Sequence, residues 1–214
     1  MYVTSIQPYR RERFRVILEN GEILTLYHRE MEEYGIREGE DLPQSVYQEI
    51  LQEVLGKRAR HRVLYLLMQQ PRTRKQLLDK LRSDGYPEQT ALDAIAYAEG
   101  FHYVDDRNYV EQYLAGPGAK KGRRAVFHEL SEKGIDHQLI ETMLEEHEER
   151  DESSILRKEA FHRLGTPHRL DEKEYRRIFG YLARKGFEGG AICRVLEEFQ
   201  NLSVENDPEE ERFF

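Results

Sequence analysis

A single cysteine, Cys193, is all the thiol this chain holds, so neither an intramolecular disulfide nor a thiolate zinc site can form within it. A reducing compartment is the expectation. Apolar residues are also scarce. Of 214 residues, 38% are hydrophobic and 35% are charged, against roughly 45–50% and 25% in ordinary soluble domains. One large globule would need more interior than this; small units with thin cores fit better. No apolar run approaches the ~18 residues of a membrane span. The start, Met1-Tyr2-Val3-Thr4-Ser5-Ile6-Gln7-Pro8, lacks the basic-then-apolar order of a secretory signal before the chain turns basic. The expectation is a soluble, cytoplasmic protein with no membrane partner.

What is present argues against disorder: 13 Tyr, 9 Phe and regularly spaced leucines. The net charge of −8 is unevenly spread. Residues 1–135 hold 21 Lys+Arg and 21 Asp+Glu, whereas 136–214 hold 12 and 20 and so carry the whole excess. Within the neutral part, 57–82 carries Lys57, Arg58, Arg60, Arg62, Arg72, Arg74, Lys75, Lys80 and Arg82 against Asp79 and no other acid. Local charge sets the field a partner meets, so a pI near 5.6 is compatible with a cationic face.

Three kinds of pattern follow one another along the chain. Residues 13–18 and 23–27 read as two strands joined at Glu19-Asn20-Gly21-Glu22, where Asn-Gly suits a turn with positive φ at both residues. A lone hairpin is marginal, and residues 3–9 are the candidate third strand. Residues 34–43, with two glycines, read as a loop. Val46, Ile50, Leu51, Val54 and Leu55 then predict a helix that Gly56 breaks or ends.

From Lys57 onward the chain repeats itself. Gly85, Gly134 and Gly186 each follow apolar residues at −8 and −4 and precede others at +1, +6, +9 and +10. The sets are Leu77, Leu81, Tyr86, Ala91, Ala94, Ile95; then Val126, Leu130, Ile135, Ile140, Met143, Leu144; then Ile178, Leu182, Phe187, Ile192, Val195, Leu196. A glycine after an apolar stripe marks the left-handed residue that lets a chain leave a helix. A further helix fits upstream in each copy, at 58–69, at 106–114 with Asp105 as N-cap, and at 153–164. The expected architecture is mainly α: tandem three-helix repeats in a curved, elongated array with a small hairpin-containing N-terminal extension. Its expected divisions are 1–56, 57–104, 105–150, 151–202 and an acidic, disordered tail at 203–214. Within it, 116–124 reads as a flexible loop with four cations, and 145–152 as a linker or a solvated helical extension.

Catalytic motifs fail residue by residue. His128-Glu129 begins like a zincin motif, but position 132 is Glu rather than His. The glycines of 116–122 lack the Gly-Lys-Ser/Thr ending of a phosphate loop. Asp105-Asp106 suits a helix N-terminus better than a metal. Cys193 lies in an apolar stripe and reads as a small core residue. No catalytic residue, metal or cofactor is implied. The cations have two readings, a solvated face or a phosphate-facing one. Arg72, Arg74 and Lys75 open a helix, whose free N–H groups also suit an anion. Lys57, Arg58, Arg72, Arg74, Lys75, Arg82, Lys120, Lys121, Arg123 and Arg124 are therefore the candidate partner- and nucleic-acid-binding residues.

Specific runs are similar to a known family. These are Arg60-His61-Arg62-Val63-Leu64-Tyr65-Leu66-Leu67, Pro71-Arg72-Thr73-Arg74-Lys75-Gln76-Leu77 and Leu81-Arg82-Ser83-Asp84-Gly85-Tyr86. Gly100-Phe101-His102-Tyr103-Val104-Asp105-Asp106-Arg107-Asn108-Tyr109-Val110 follows, then Gly122-Arg123-Arg124, Glu129-Leu130 and Lys133-Gly134-Ile135. Together they resemble the RecX family over 57–199 and, more loosely, over 1–56; Tyr109 stands where a phenylalanine is common. The resemblance implies a monomeric, non-enzymatic regulator. It would lie in the groove of the RecA recombinase filament on single-stranded DNA and suppress strand exchange, ATP hydrolysis and co-protease activity. Single-stranded or duplex DNA is a further expected partner, through the basic patches. A helix-turn-helix-like DNA-binding regulator and a generic helical interaction scaffold are the alternatives.

Overall fold

A computed structural model describes residues 1–10, 12–147 and 151–205, the last three by backbone only. It is mainly helical, with one antiparallel sheet at the N-terminus. The chain divides into two compact units, Met1–Asp106 and Arg107–Phe214, taken separately below.

In the first unit, β1 (Val3–Tyr9), β2 (Arg13–Leu18) and β3 (Ile23–Tyr27) form a sheet in the order β1-β2-β3. The strands lie where alternation and the Asn-Gly signal put them. The turn itself differs from the expectation. Leu18 N–H donates to Glu22 O, and Gly21 alone in the turn takes positive φ, at 81°. Three residues therefore make the loop, a turn closed by a left-handed glycine rather than a two-residue Asn-Gly turn. The free edge of β1 is covered by the glycine loop: Val3 N–H donates to Glu40 O, and Gly39 N–H donates to Val3 O.

Helix α1 (His28–Glu33) starts directly at the end of β3 and was not legible, because Met31 is its one buried residue. The larger correction concerns Gly56. Helix α2 (Gln44–Glu49), a π-helical stretch (Ile50–Gly56) and α3 (Lys57–Gln69) run on without a break, and Gly56 is ordinary right-handed helix at φ −64°. It lies at the end of the wide π turn, where a Cβ at this buried position would make a tight contact with Leu51 O, at 3.0 Å. The sheet, Met31, Ile36, Leu42, Tyr47, Ile50 and Leu55 make one apolar core. Helices α3, α4 (Arg74–Ser83) and α5 (Glu88–Gly100) make another around Val63, Leu77, Leu81 and Ile95.

The second unit contains α6 from Arg107 onward (the helix spans Asp106–Ala115), α7 (Arg123–Glu132) and α8 (His137–Glu146) around Val126, Leu130, Ile140 and Met143. Helices α9 (Glu152–Leu164), α10 (Glu172–Arg184) and α11 (Gly189–Glu205) pack around Leu182, Ile192, Leu196 and Phe199. Helix α8 stops at Glu146, and residues 148–150 of the acidic linker lie outside the described residues. Helix α11 runs three residues into the segment expected as a tail; 206–214 lie outside the described residues.

The repeat glycines behave alike. Gly85, Gly134 and Gly186 have φ of 88°, 80° and 87°. Each closes the same pair of bonds: Gly85 N–H to Arg82 O and Tyr86 N–H to Leu81 O, Gly134 to Ser131 and Ile135 to Leu130, Gly186 to Ala183 and Phe187 to Leu182. This is the Schellman ending, which satisfies two carbonyls that a helix end leaves without partners. Seventeen of the eighteen apolar positions in the offset pattern are buried; Tyr86, half-buried, is the exception.

Candidate functional site

The start of α4 was the sequence's best anion site, and the protein fills it itself. Thr73 caps the helix: its hydroxyl accepts from Gln76 N–H at 3.2 Å, and the Gln76 side chain accepts from Thr73 N–H at 3.2 Å. The carboxylate of Asp106 accepts from Arg74 N–H at 3.2 Å, which places a negative charge where the helix dipole favours one. Burial pushes the Asp106 carboxyl above its ordinary value, while the Arg74 bond pulls it down. The Arg74 guanidinium pairs with Glu99 at 2.9 Å. Arg72 is half-buried, with its Nε enclosed and without a hydrogen-bond partner among the described residues. Lys75 lies 4.0 Å from Asp79, Lys57 pairs with Glu53 at 2.7 Å, and Arg82 Nε donates to Glu88 at 2.6 Å.

The loop 116–124, expected to be flexible, is pinned inside the second unit. Lys121 Nζ meets both oxygens of Glu129 at 2.6 and 2.7 Å, and the Tyr113 hydroxyl donates to Glu129 at 2.6 Å. Burial opposes ionisation of Glu129, yet the bonds from Lys121 and Tyr113 outweigh it and hold the carboxyl below its ordinary range. Gly122 N–H donates to Lys185 O at 2.9 Å, and a Cβ at Gly122 would stand 2.5 Å from Gly186 O. Arg123 pairs with Glu141. That leaves Lys120 and Arg124, both exposed and without an ion pair among the described residues.

Arg58 has a different position. Its guanidinium pairs with Glu30, donates to Thr25 O at 3.1 Å and covers the Tyr27 ring at 4.9 Å. It thereby ties α3 to the sheet. The tie is doubled where the Thr25 hydroxyl donates to Gly85 O at 3.1 Å. Beside this joint lies an open cleft of about 540 Å³ lined by Arg10, Arg13, Tyr27, Arg58, His61, Arg62, Asp84 and Tyr86. Four arginines face one carboxylate there. Arg62 is held by Asp84 at 2.7 Å, and Arg13 donates to Arg10 O at 3.2 Å. Burial pushes the Tyr86 phenol above its ordinary value; Arg58, Arg62 and Arg13 work against that shift, and Asp84 adds to it.

Of this cluster only Arg58 was among the expected binding residues. One signal was present in the sequence. The +1 position after the repeat glycine is Ile135 and Phe187 in the later copies but Tyr86 in the first, a hydroxyl where the pattern asks for a hydrocarbon.

The remaining expected features find internal uses. His128 lies 3.7 Å from Glu132, and its neighbour Glu129 is the partner of Lys121. Cys193 is half-buried and accepts from the Tyr175 hydroxyl at 3.4 Å; that bond first, and then burial, pushes the phenol up to about 12. Among the described residues, no helix is long and apolar enough to cross a membrane.

Comparison with known proteins places these units. Residues 59–97 match the first three-helix domain of RecX, 105–144 the second and 151–196 the third. The regulatory protein RecX of Thermobifida fusca is 33% identical over 165 residues, covering 74% of this chain and 89% of that protein. The regulatory protein RecX of Bacillus licheniformis is 27% identical over 216 residues, covering 99% of this chain and 81% of the relative, so the likeness includes the N-terminal sheet. The crystal structure of RecX from Lactobacillus salivarius superposes with a TM-score of 0.57 at 26% identity, covering 69% of this chain and 97% of that one. Three repeat units in family order, and a relative one-third identical across most of its length, show that the chain belongs to the RecX family of regulatory proteins.

Proposed function

We propose that this chain is a cytoplasmic, monomeric regulator that binds the RecA recombinase filament on single-stranded DNA and suppresses its strand-exchange, ATPase and co-protease activities. It does so by occupying filament surface rather than by catalysis. The observation that carries the reading is the succession of three RecX domains along one chain, at 59–97, 105–144 and 151–196. Small helical units each expose much surface for little core, which suits a protein whose work is contact.

Electrostatics direct where contact falls. Arg74, Lys121 and Arg123 are engaged by their own carboxylates, so they are poor candidates for trading partners on binding. Lys120 and Arg124 are exposed and make no close ion pair among the described residues, so they are the better contacts for acidic filament surface or DNA phosphate.

Co-sedimentation with a RecA filament assembled on single-stranded DNA, with salt titrated, tests the reading. Retention that falls steeply with salt is expected, because ionic contacts release counterions. Lys120→Glu with Arg124→Glu should weaken retention at least about fivefold, as two reversed charges at an ionic contact cost on the order of 1 kcal/mol or more. No retention of the unsubstituted protein at any salt would overturn the reading.

A further inference from the structure

The arginine cleft between the N-terminal sheet and the first repeat has no part in holding the fold that would explain all its charge. Arg58 and Arg62 each have a carboxylate, Glu30 and Asp84, and are locked in place by it. Arg10 and Arg13 have none among the described residues, although they stand on the same cleft. Two cations are thus preset at one wall and two more, Arg10 just after β1 and Arg13 at the start of β2, line the cleft without a carboxylate partner among the described residues. Like charges gathered around one cavity repel, and the arrangement persists in a sequence that is acidic overall. An anion of distributed charge would relieve that repulsion.

Aromatic rings are interleaved with these cations. Tyr27 lines the cleft and is 41% exposed, with Arg58 over its ring. One turn along α3 from Arg62, Tyr65 is 54% exposed, and the Arg62 guanidinium lies 5.7 Å from its ring centre. Arg58, His61, Arg62 and Tyr65 fall on one face of α3 at three- and four-residue spacing. Alternating guanidinium and exposed ring is the chemistry of single-stranded nucleic acid: arginines for successive phosphates, rings for unstacked bases. Bases paired in a duplex are not free to stack on a side chain, so the rings favour a single strand.

We propose that this cleft, extended by Tyr65 one turn along α3 from Arg62, is a binding site for single-stranded DNA formed jointly by the N-terminal sheet and the first three-helix repeat. Arg10 and Arg13 contact phosphate, Arg58 and Arg62 hold the floor, and Tyr27 and Tyr65 offer stacking faces. The inference goes beyond the filament reading: it concerns free strands and a surface that includes the sheet.

The test is fluorescence anisotropy of a dye-labelled oligo-dT with the full chain and no recombinase, across a salt series. Arg10→Ala with Arg13→Ala should weaken binding about tenfold at low salt and lower the salt slope by roughly 1–1.5, the share of two phosphate contacts. Tyr65→Ala, an exposed change on a separate element, should weaken binding about fivefold or more while leaving the slope unchanged. Arg176→Ala with Arg177→Ala, two exposed cations of α10 that have no part in either site, should leave both quantities as they were. Unsubstituted affinity and slope in the Arg10/Arg13 variant would overturn the proposal. So would equal affinity for a duplex of the same length, or displacement of oligo-dT by poly-glutamate at matched charge. Because no recombinase is present, failure here leaves filament binding standing, and failure of filament binding leaves this result standing.

Discussion

Glu159 is 8% exposed, and its carboxylate is met by Lys185 and, at 3.2 Å, by the Tyr181 hydroxyl. Burial is the largest influence and works against its charge, but the bond and charge of Lys185, the Tyr181 bond and the nearby Lys120 together outweigh it and hold the carboxyl below its ordinary value of 4.5. Glu129, under Lys121 and Tyr113, is depressed for the same reasons. A carboxyl depressed in the folded chain adds stability that is fully present above the unfolded value and is lost as pH falls through the folded one. Acid titration of urea stability should therefore show loss beginning below about pH 4.5, and Glu159→Gln should reduce that loss while leaving the share that Glu129 contributes. Lys185→Met leaves Glu159 enclosed and unpaired, so it should cost about 3 kcal/mol in the same measurement. A Lys185→Met protein as stable as the unsubstituted chain would show that the pair is solvated rather than buried.

Gly186 tests how two demands on one residue combine. It takes φ of 87°, and a Cβ there would lie 2.3 Å from Ala125 N, on backbone that has nowhere to go. Gly21 takes nearly the same φ, 81°, with nothing within 4 Å. Gly21→Ala should cost about 1 kcal/mol, the left-handed strain alone. Gly186→Ala should cost about 3 kcal/mol or more, because the helix start at Gly122–Ala125 must also move. Thermal unfolding of the two variants separates strain from close approach.

Between elements, the joint of sheet and first repeat rests on few atoms. Thr25, buried in β3, donates to Gly85 O, and Arg58 reaches back to Thr25 O. Thr25→Val keeps the shape and removes the donor, so it should cost about 1–2 kcal/mol and raise amide exchange around Gly85 more than around Gly134. Equal exchange at both glycines would mean that the joint carries no stability.

Legibility in the sequence divides along the same line. The glycine offsets exposed the three repeats because a Schellman ending demands a left-handed residue and an apolar follower at fixed spacing. The strands were legible from the partial alternation of residues 13–18 and the Asn-Gly signal, although β3 is buried on both faces at Leu24, Thr25 and Leu26. What escaped was set by pairing across the chain. Nothing local in Arg72-Thr73-Arg74 says that Asp106 will occupy the helix start, or that Lys121 will spend its charge on Glu129. Gly56 misled because a glycine after an apolar stripe reads as a left-handed exit, whereas here it stays in right-handed helix. The cleft escaped because Arg10 and Arg13 lie about 45 residues from Arg58 and Arg62 in a chain that only the fold brings round. Tyr86, out of pattern by one hydroxyl, was the local trace of it.

For the molecule as a whole, family membership and three repeat units carry the regulatory reading, and the charge that matters is local. The net −8 describes the average of a cationic cleft, a set of internally neutralised pairs and an acidic C-terminal half. A partner meets the charges it touches and not the mean. Raising ionic strength should therefore weaken binding to an anionic filament despite the acid pI, whereas repulsion governed by net charge would make binding improve with salt.

The most direct test of the central claim is the steady-state ATPase of RecA on single-stranded DNA, measured as this protein is titrated in. Hydrolysis is expected to fall in a saturable way as regulator is added, with a plateau once the filament's sites are filled. Hydrolysis unchanged up to a several-fold excess of regulator, on filaments that co-sedimentation shows to be intact, would contradict it.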